Sequence, residues 1–304
     1  MSTSTRTPTK DSAQTVHEQD LRHVRNAGLK KLAGYAVLVL FSVIYLYPFL
    51  IQIATSFKSD PQASATPLSI IPNPFDLSAW QRMFGLTPDS SIPIMTWLGN
   101  SVLVTVIVTA ARVFLDSLAG YALSRLHFRG RGFLFAAVLA VMSVPGVALL
   151  VPKFLIVTYL GLYDTYAAMI LPLLVDAAGV FIMKQFFDSI PDSVEEAARI
   201  DGAGTFRTFW TIVLPMARPA LVTLFILSFQ GSWNELGHFI VSRQSPELNT
   251  LTTGVASLVS GQLGSGNQFP LQLAAAVLMT IPVAVLFFIF QRRIMNTTAG
   301  AEKG

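Results

Sequence analysis

Apolar positions run through this chain in long uninterrupted stretches separated by short polar connections, and six of these stretches are long enough to cross a bilayer as helices. A crossing needs about 20 mostly apolar residues, because every backbone N–H and C=O must be satisfied inside the segment once water is excluded. The stretches extend from Leu32 to Phe57, Trp97 to Leu123, Gly132 to Pro152, Thr165 to Phe187, Pro219 to Val241 and Leu273 to Phe290. The first and third carry no charge, whereas the second contains Arg112 and Asp116, the fourth Asp176 and Lys184, and the fifth Glu235. Residues 248–272 are also uncharged, but TTGVASLVSGQLGSGNQFP is rich in Gly, Ser and Gln and reads as an external loop with a short helix. The pattern predicts an all-α membrane protein whose six transmembrane helices occupy residues 30–291.

The polar connections set the expected orientation. With the N-terminus inside, six basic residues lie in the N-terminal tail and three, Arg125, Arg129 and Arg131, in the second connection. Four more (Lys184, Arg199, Arg207, Arg218) lie at the fourth and three (Arg292, Arg293, Lys303) at the C-terminus. The outer side receives only Lys58, Arg82, Lys153 and Arg243, so an excess of positive charge inside predicts cytoplasmic termini. Residues 1–29 are polar, hold charges of both signs and read as a disordered cytoplasmic tail; residues 292–304 form the C-terminal one. The first apolar run is too long for the core of a cleaved signal peptide. The loop from Lys58 to Thr96 is rich in proline and contains an amphipathic stretch, LSAWQRMF, expected to pack on the outer mouth.

Composition agrees with this picture: 52% of the residues are hydrophobic and 12% charged, about half the charged share of a soluble domain. The net charge of +4 follows from topology and calls for no nucleic acid. There is no cysteine, which excludes thiol catalysis and thiolate metal sites, and the four histidines (His17, His23, His127, His238) form no ligand pair. No closely spaced carboxylates or other catalytic set supports a membrane-embedded enzyme.

One connection stands out. Residues 191–215, PDSVEEAARIDGAGTFRTFWTIVLP, combine charges, glycines and a helical pattern between the fourth and fifth spans. Pro191 suits a first turn, Ser193 with Glu196 fits a capping box, and Asp192, Glu195 and Glu196 place negative charge at the positive end of a helix dipole. Val194, Ala197, Ala198 and Asp201 recur at helical spacing and predict one face of small side chains, with Glu195 and Arg199 paired on its flank. Gly202 is expected to end this helix, Thr205 to cap a second one, and Pro215 and Pro219 to redirect the chain.

Glu196 to Pro215, EAARIDGAGTFRTFWTIVLP, resembles the EAA loop of ABC importer permeases: Glu-Ala-Ala, then Asp-Gly-Ala, then an Ile-x-Leu-Pro ending. GSWNEL at 231–236 and TAGAEKG at 298–304 look like the second permease subunit of maltose-type carbohydrate importers, although Glu302 stands where that group usually has Val. The resemblance implies a type I ABC importer permease fold and a coupling helix seated in a separate ATP-binding subunit. Glu196, Ala197, Ala198, Asp201, Gly202, Ala203 and Pro215 would form that joint, and Thr298, Gly300 and Lys303 would reach the same partner. It also implies a dimeric ATPase, a second permease and an extracytoplasmic solute-binding protein as partners. This chain has no G-x-x-x-x-G-K-[ST] phosphate loop, so ATP and Mg would reside on the partner and no cofactor on this chain.

Charges inside spans are costly and therefore informative. Arg112 and Asp116 are four residues apart and are expected to pair with each other. Trp233, Asn234 and Glu235, with His238, offer the aromatic face, amide and carboxylate that suit sugar hydroxyls; fixing helix packing, or meeting a sister permease, is the alternative. A stand-alone secondary transporter or channel would leave the EAA-like loop without a purpose. An ABC permease for glycerol phosphate, a polyol or another small solute stays open.

Overall fold

In the computed structural model, residues 10–88, 92–259 and 268–301 are described, with side chains for all of these except 10–30 and 292–301. Four helical segments are long and apolar enough to span a bilayer, and two bent helix pairs bring the number to six, matching the expected spans by length and composition. The first helix, α1 (Lys10–Thr55), extends back into residues expected as a disordered tail. Its Ala, Gln, Glu, Leu and Arg content favours continuing a helix that the apolar run has nucleated. The most apolar part of its span buries nothing against this chain, while Ala54 and Thr55 at its end are buried.

The loop that follows holds two short helices, α2 (Asp60–Ala65) and α3 (Ser78–Met83). The expected packing of LSAWQRMF is seen in α3, whose Ala79 and Met83 are fully buried with Trp97, Trp233 and Leu271. Lys58 is buried in this loop and donates to the Thr66 carbonyl at 2.8 Å.

The central rod is α4 (Ile94–Arg125), which is unbroken over 32 residues. The third span is not a single helix: α5 (Arg131–Met142) and α6 (Leu150–Tyr159), joined through a short turn at Gly146–Leu149, meet at 104°. The span expected over Gly132 to Pro152 is therefore bent, and it runs on to Tyr159. Pro145 has no N–H to donate and disfavours helical backbone at Val144, so the helix stops there. The fourth span joins α7 (Tyr166–Ile170) to α8 (Ala177–Asp188) across a non-helical step at 174–176.

Next come α9 (Asp192–Ile200), α10 (Thr205–Thr208), a single π-helical turn (Phe209–Val213) and α11 (Leu214–Met216). The chain then turns by 81° into α12 (Arg218–Trp233), the redirection expected of Pro215 and Pro219. The fifth span also stops short of Val241: α12 ends at Trp233, and α13 (Gly237–Ser242) is a separate piece. The expected external loop carries α14 (Leu251–Val259), whose Leu251, Thr253 and Gly254 are buried rather than loosely held. The last helix, α15 (Phe269–Ala301), continues past the predicted end of the sixth span at Phe290.

The rod α4 lies along α8 and α12. Gly120 permits the first contact, since a Cβ there would stand 2.7 Å from Met183 Cβ and 2.9 Å from the Lys184 nitrogen. One apolar cluster, around Tyr121, Met183, Phe187, Phe209 and Val213, closes the end of the bundle that carries α9. Another, around Trp97, Trp233 and Leu251, closes the opposite end.

Candidate coupling hairpin and intramembrane polar sites

The hairpin α9–α10 is built from both ends. Asp192 and Glu195 occupy the first turn of α9, where negative charge meets the unsatisfied N–H groups. Pro191 precedes the helix and makes no side-chain cap, so the expected Ser193–Glu196 capping box does not form. Ser193 already lies inside the helix, where its hydroxyl is past the capping position. The acidic turn is held instead by Arg125, the last residue of α4, which pairs with Asp192 and lies 3.3 Å from Glu195 Oε1. The expected Glu195–Arg199 pair gives way to this contact.

At the other end Gly202 adopts φ 78°. Its N–H donates to the Arg199 carbonyl at 3.1 Å and the Ala203 N–H to the Ala198 carbonyl at 2.9 Å, the two bonds of a Schellman ending. Gly202 therefore ends the helix as expected. Thr205 does not cap α10; it is the first helical residue, behind Gly204.

The expected single face of small residues is divided. Val194 is half-buried and Ala198 is buried against the bundle, while Glu196, Ala197, Asp201 and Gly202 face outward and Ala203 is half-buried. A nine-residue helix lying on a core must turn one side inward, and the two apolar positions nearest the bundle, Val194 and Ala198, take it. The outward ridge gains Ile200, 85% exposed, and Phe206, 65% exposed, which the sequence reading passed over. Two apolar side chains left in solvent beside an acidic helix were the available signal. The base of the hairpin is closely packed: the Tyr121 ring lies 4.9 Å from that of Phe209 and 5.8 Å from that of Phe187. A polar cleft of about 260 Å³ beside the hairpin is lined by Tyr121, Arg125, Glu195, Arg199 and Thr205. Pro215 sits half-buried in α11.

Within the spans, Arg112 and Asp116 are brought near each other but form no ion pair. Arg112 Nε donates to the Leu173 carbonyl at 2.6 Å, and Asp116 Oδ1 accepts from the Asp176 N–H at 3.1 Å. The expectation of mutual pairing is corrected: the interrupted backbone of the fourth span has freed a carbonyl and an N–H that need partners in a dry interior. Asp176 caps α8 through a bond from the Gly179 N–H at 3.2 Å.

Of the residues proposed to suit a sugar, Trp233 is buried and its indole donates to the Met279 carbonyl at 3.0 Å. His238 is buried with Nε2 3.1 Å from the Ala168 carbonyl. Both serve packing. Glu235 is half-buried and accepts the His238 N–H at 2.9 Å, while Asn234 is exposed and donates to the Gln230 carbonyl. Thr298 and Gly300 lie on the last turns of α15, where side chains are not described, and Lys303 lies outside the described residues. Among the described residues no group of three or more His, Asp or Glu could hold a metal ion.

Among the described residues, an all-helical bundle with up to six apolar spans and a hairpin projecting from one end has the type I ABC importer permease fold. The chain belongs to the family of binding-protein-dependent transport system inner membrane components, whose pattern matches residues 116–297. It is 32% identical to the inner membrane ABC transporter permease protein YcjP of Escherichia coli (strain K12), covering 91% of this chain and 98% of that protein. It is also 32% identical to the arabinooligosaccharides transport system permease protein AraQ of Halalkalibacterium halodurans, covering 89% and 95%. Among solved structures, a chain of a bacterial ABC transporter involved in importing the acidic polysaccharide alginate shares the fold with a TM-score of 0.74 and 24% identity, over 88% of this chain and 97% of that one.

Proposed function

We propose that this permease carries a sugar or oligosaccharide inward, powered by a separate dimeric ATPase that binds ATP and Mg and grips α9. The observation that carries the reading is the ridge of Glu196, Ala197, Ile200, Asp201 and Gly202, which faces solvent on a hairpin whose other side is fixed in the core. A motor that closes on such a ridge tilts the spans, provided it binds the two states with different free energies. In this reading both termini are cytoplasmic, a second permease completes the pathway, and a solute-binding protein delivers cargo at the opposite face. The uncovered apolar surface of α1 is consistent with a further membrane subunit or lipid beside it. Thr298, Gly300 and Lys303 would extend the contact with the ATPase.

Carbohydrate is the favoured cargo because the maltose-type pattern and the arabinooligosaccharide permease both point that way. Asn234 and Glu235, at the break between α12 and α13, are the polar groups left to meet it. The test is reconstitution with the neighbouring subunits into vesicles. A reagent at Ala197→Cys should cross-link to the ATPase, and labelled oligosaccharides should be taken up in preference to glycerol phosphate. Failure of the cross-link removes the coupling role, and preference for glycerol phosphate replaces the cargo class.

A further inference from the structure

Arg125 contacts both sides of the corner that leads from α8 into the hairpin. Its side chain, only 8% exposed, closes the end of α4. It pairs with Asp192 and Glu195 in the first turn of α9 and donates to the Phe187 carbonyl at 2.5 Å and to the Ile190 carbonyl. The residue before it adds to the grip: Ser124 Oγ donates to Asp188 Oδ1 at 2.6 Å, while Lys184 holds the other oxygen at 2.5 Å. The last turn of α4 thus takes hold of the whole corner by which α8 passes into α9.

Two features suit that corner to transmitting movement. A guanidinium presents five N–H donors in a flat fork and can satisfy carboxylates and carbonyls on several sides at once, which the three donors of a lysine ammonium cannot reproduce. The element behind it is an unbroken helix of 32 residues, unlike the bent α5–α6 pair and the interrupted α7–α8 span. At its far end Asn100 donates to the Glu247 and Asn249 carbonyls at 2.7 and 2.8 Å.

We propose that Arg125 is a positioning residue that locks α9 to the end of α4, so that displacement of the exposed α9 ridge moves α4 as one body with it. The inference rests on α9 being the coupling helix, and it assigns the polar lock between that helix and α4 to this side chain.

The absence of cysteine allows clean pairwise labelling. Spin labels at Ser193→Cys, on α9 outside the gripped ridge, and Val106→Cys, both exposed, report the α9–α4 distance in the intact complex. With Arg125 present, one narrow distance distribution is expected in each nucleotide state. In Arg125→Gln it should broaden, and uptake per ATP hydrolysed should fall at least about fivefold. Arg125→Lys should lie between the two. A narrow distribution in Arg125→Gln overturns the proposal, whether or not the complex still assembles, as does unchanged uptake per ATP. If the chain with Arg125 intact recovers no ATPase, the coupling reading of α9 fails, while the distance distributions still decide whether Arg125 is the lock.

Discussion

Arg112 and Asp116 stand one turn apart on α4 and hold opposite sides of a single break in the neighbouring span, Arg112 at the Leu173 carbonyl and Asp116 at the Asp176 N–H. Two charges that would each be costly alone are retained because each satisfies a backbone group that has lost its helical partner. The approach is close: a Cβ at Gly179, just past the break, would stand 2.1 Å from Asp116 Oδ2.

Replacing Asp116 separates its charge from its acceptor role. Asp116→Leu should destabilise the detergent-solubilised protein by about 1–3 kcal/mol, because it leaves the Asp176 N–H unsatisfied. Asp116→Asn keeps an acceptor oxygen and should cost clearly less. Equal losses in thermal unfolding would show that the bond to Asp176 is not what the carboxylate contributes.

Gly120 tests the contact between α4 and α8. Its added Cβ would meet backbone as well as side chain, at 2.9 Å from the Lys184 nitrogen, so a rotamer change cannot relieve it. Gly120→Ala should therefore cost about 1–3 kcal/mol by overpacking. A wild-type melting temperature would place the two helices farther apart than described.

Gly202 distinguishes backbone strain from an occupied surface. Nothing lies within 4 Å of a Cβ at this position, and its φ of 78° suits Asp or Asn better than Ala. If only the backbone mattered, Gly202→Ala would be the more harmful change. With a partner seated on the ridge, Gly202→Asp should abolish uptake while the protein remains inserted, and Gly202→Ala should lose less. Proteoliposome uptake by the two variants decides the order.

Asp164 gives a pH dependence. Bonds from the Ser245 hydroxyl and from the Gln244 and Ser245 N–H groups, both at 2.8 Å, hold its carboxyl below the usual carboxylate range. A carboxyl shifted this way contributes stability that is complete above its unfolded value of about 3.9 and is lost as pH falls through the lower folded value. Thermal stability should thus decline on the acid side, and Asp164→Asn should flatten that decline. The substitution suits the backbone, whose φ is 61°, and retains an acceptor. An unchanged acid limb in the variant would assign the decline to other carboxylates.

The sequence by itself determined the apolar spans, the place of the hairpin between the fourth and fifth of them, and the helix end at Gly202. All of these follow from composition and spacing within one segment: hydrocarbon length sets the spans, and a left-handed residue sets the end. Which side of α9 faces outward, what Arg112 and Asp116 bind, and that Arg125 grips the hairpin were decided by the tertiary structure. Each depends on groups some 60 or more residues away, as with Arg125 and Asp192 at a separation of 67. A backbone break in one helix creates the unsatisfied carbonyl that a charge on another must find, and no periodicity along either helix records that meeting. The same holds for Ala198, which shares its spacing with Ala197 but turns into the core because the bundle happens to lie on that side.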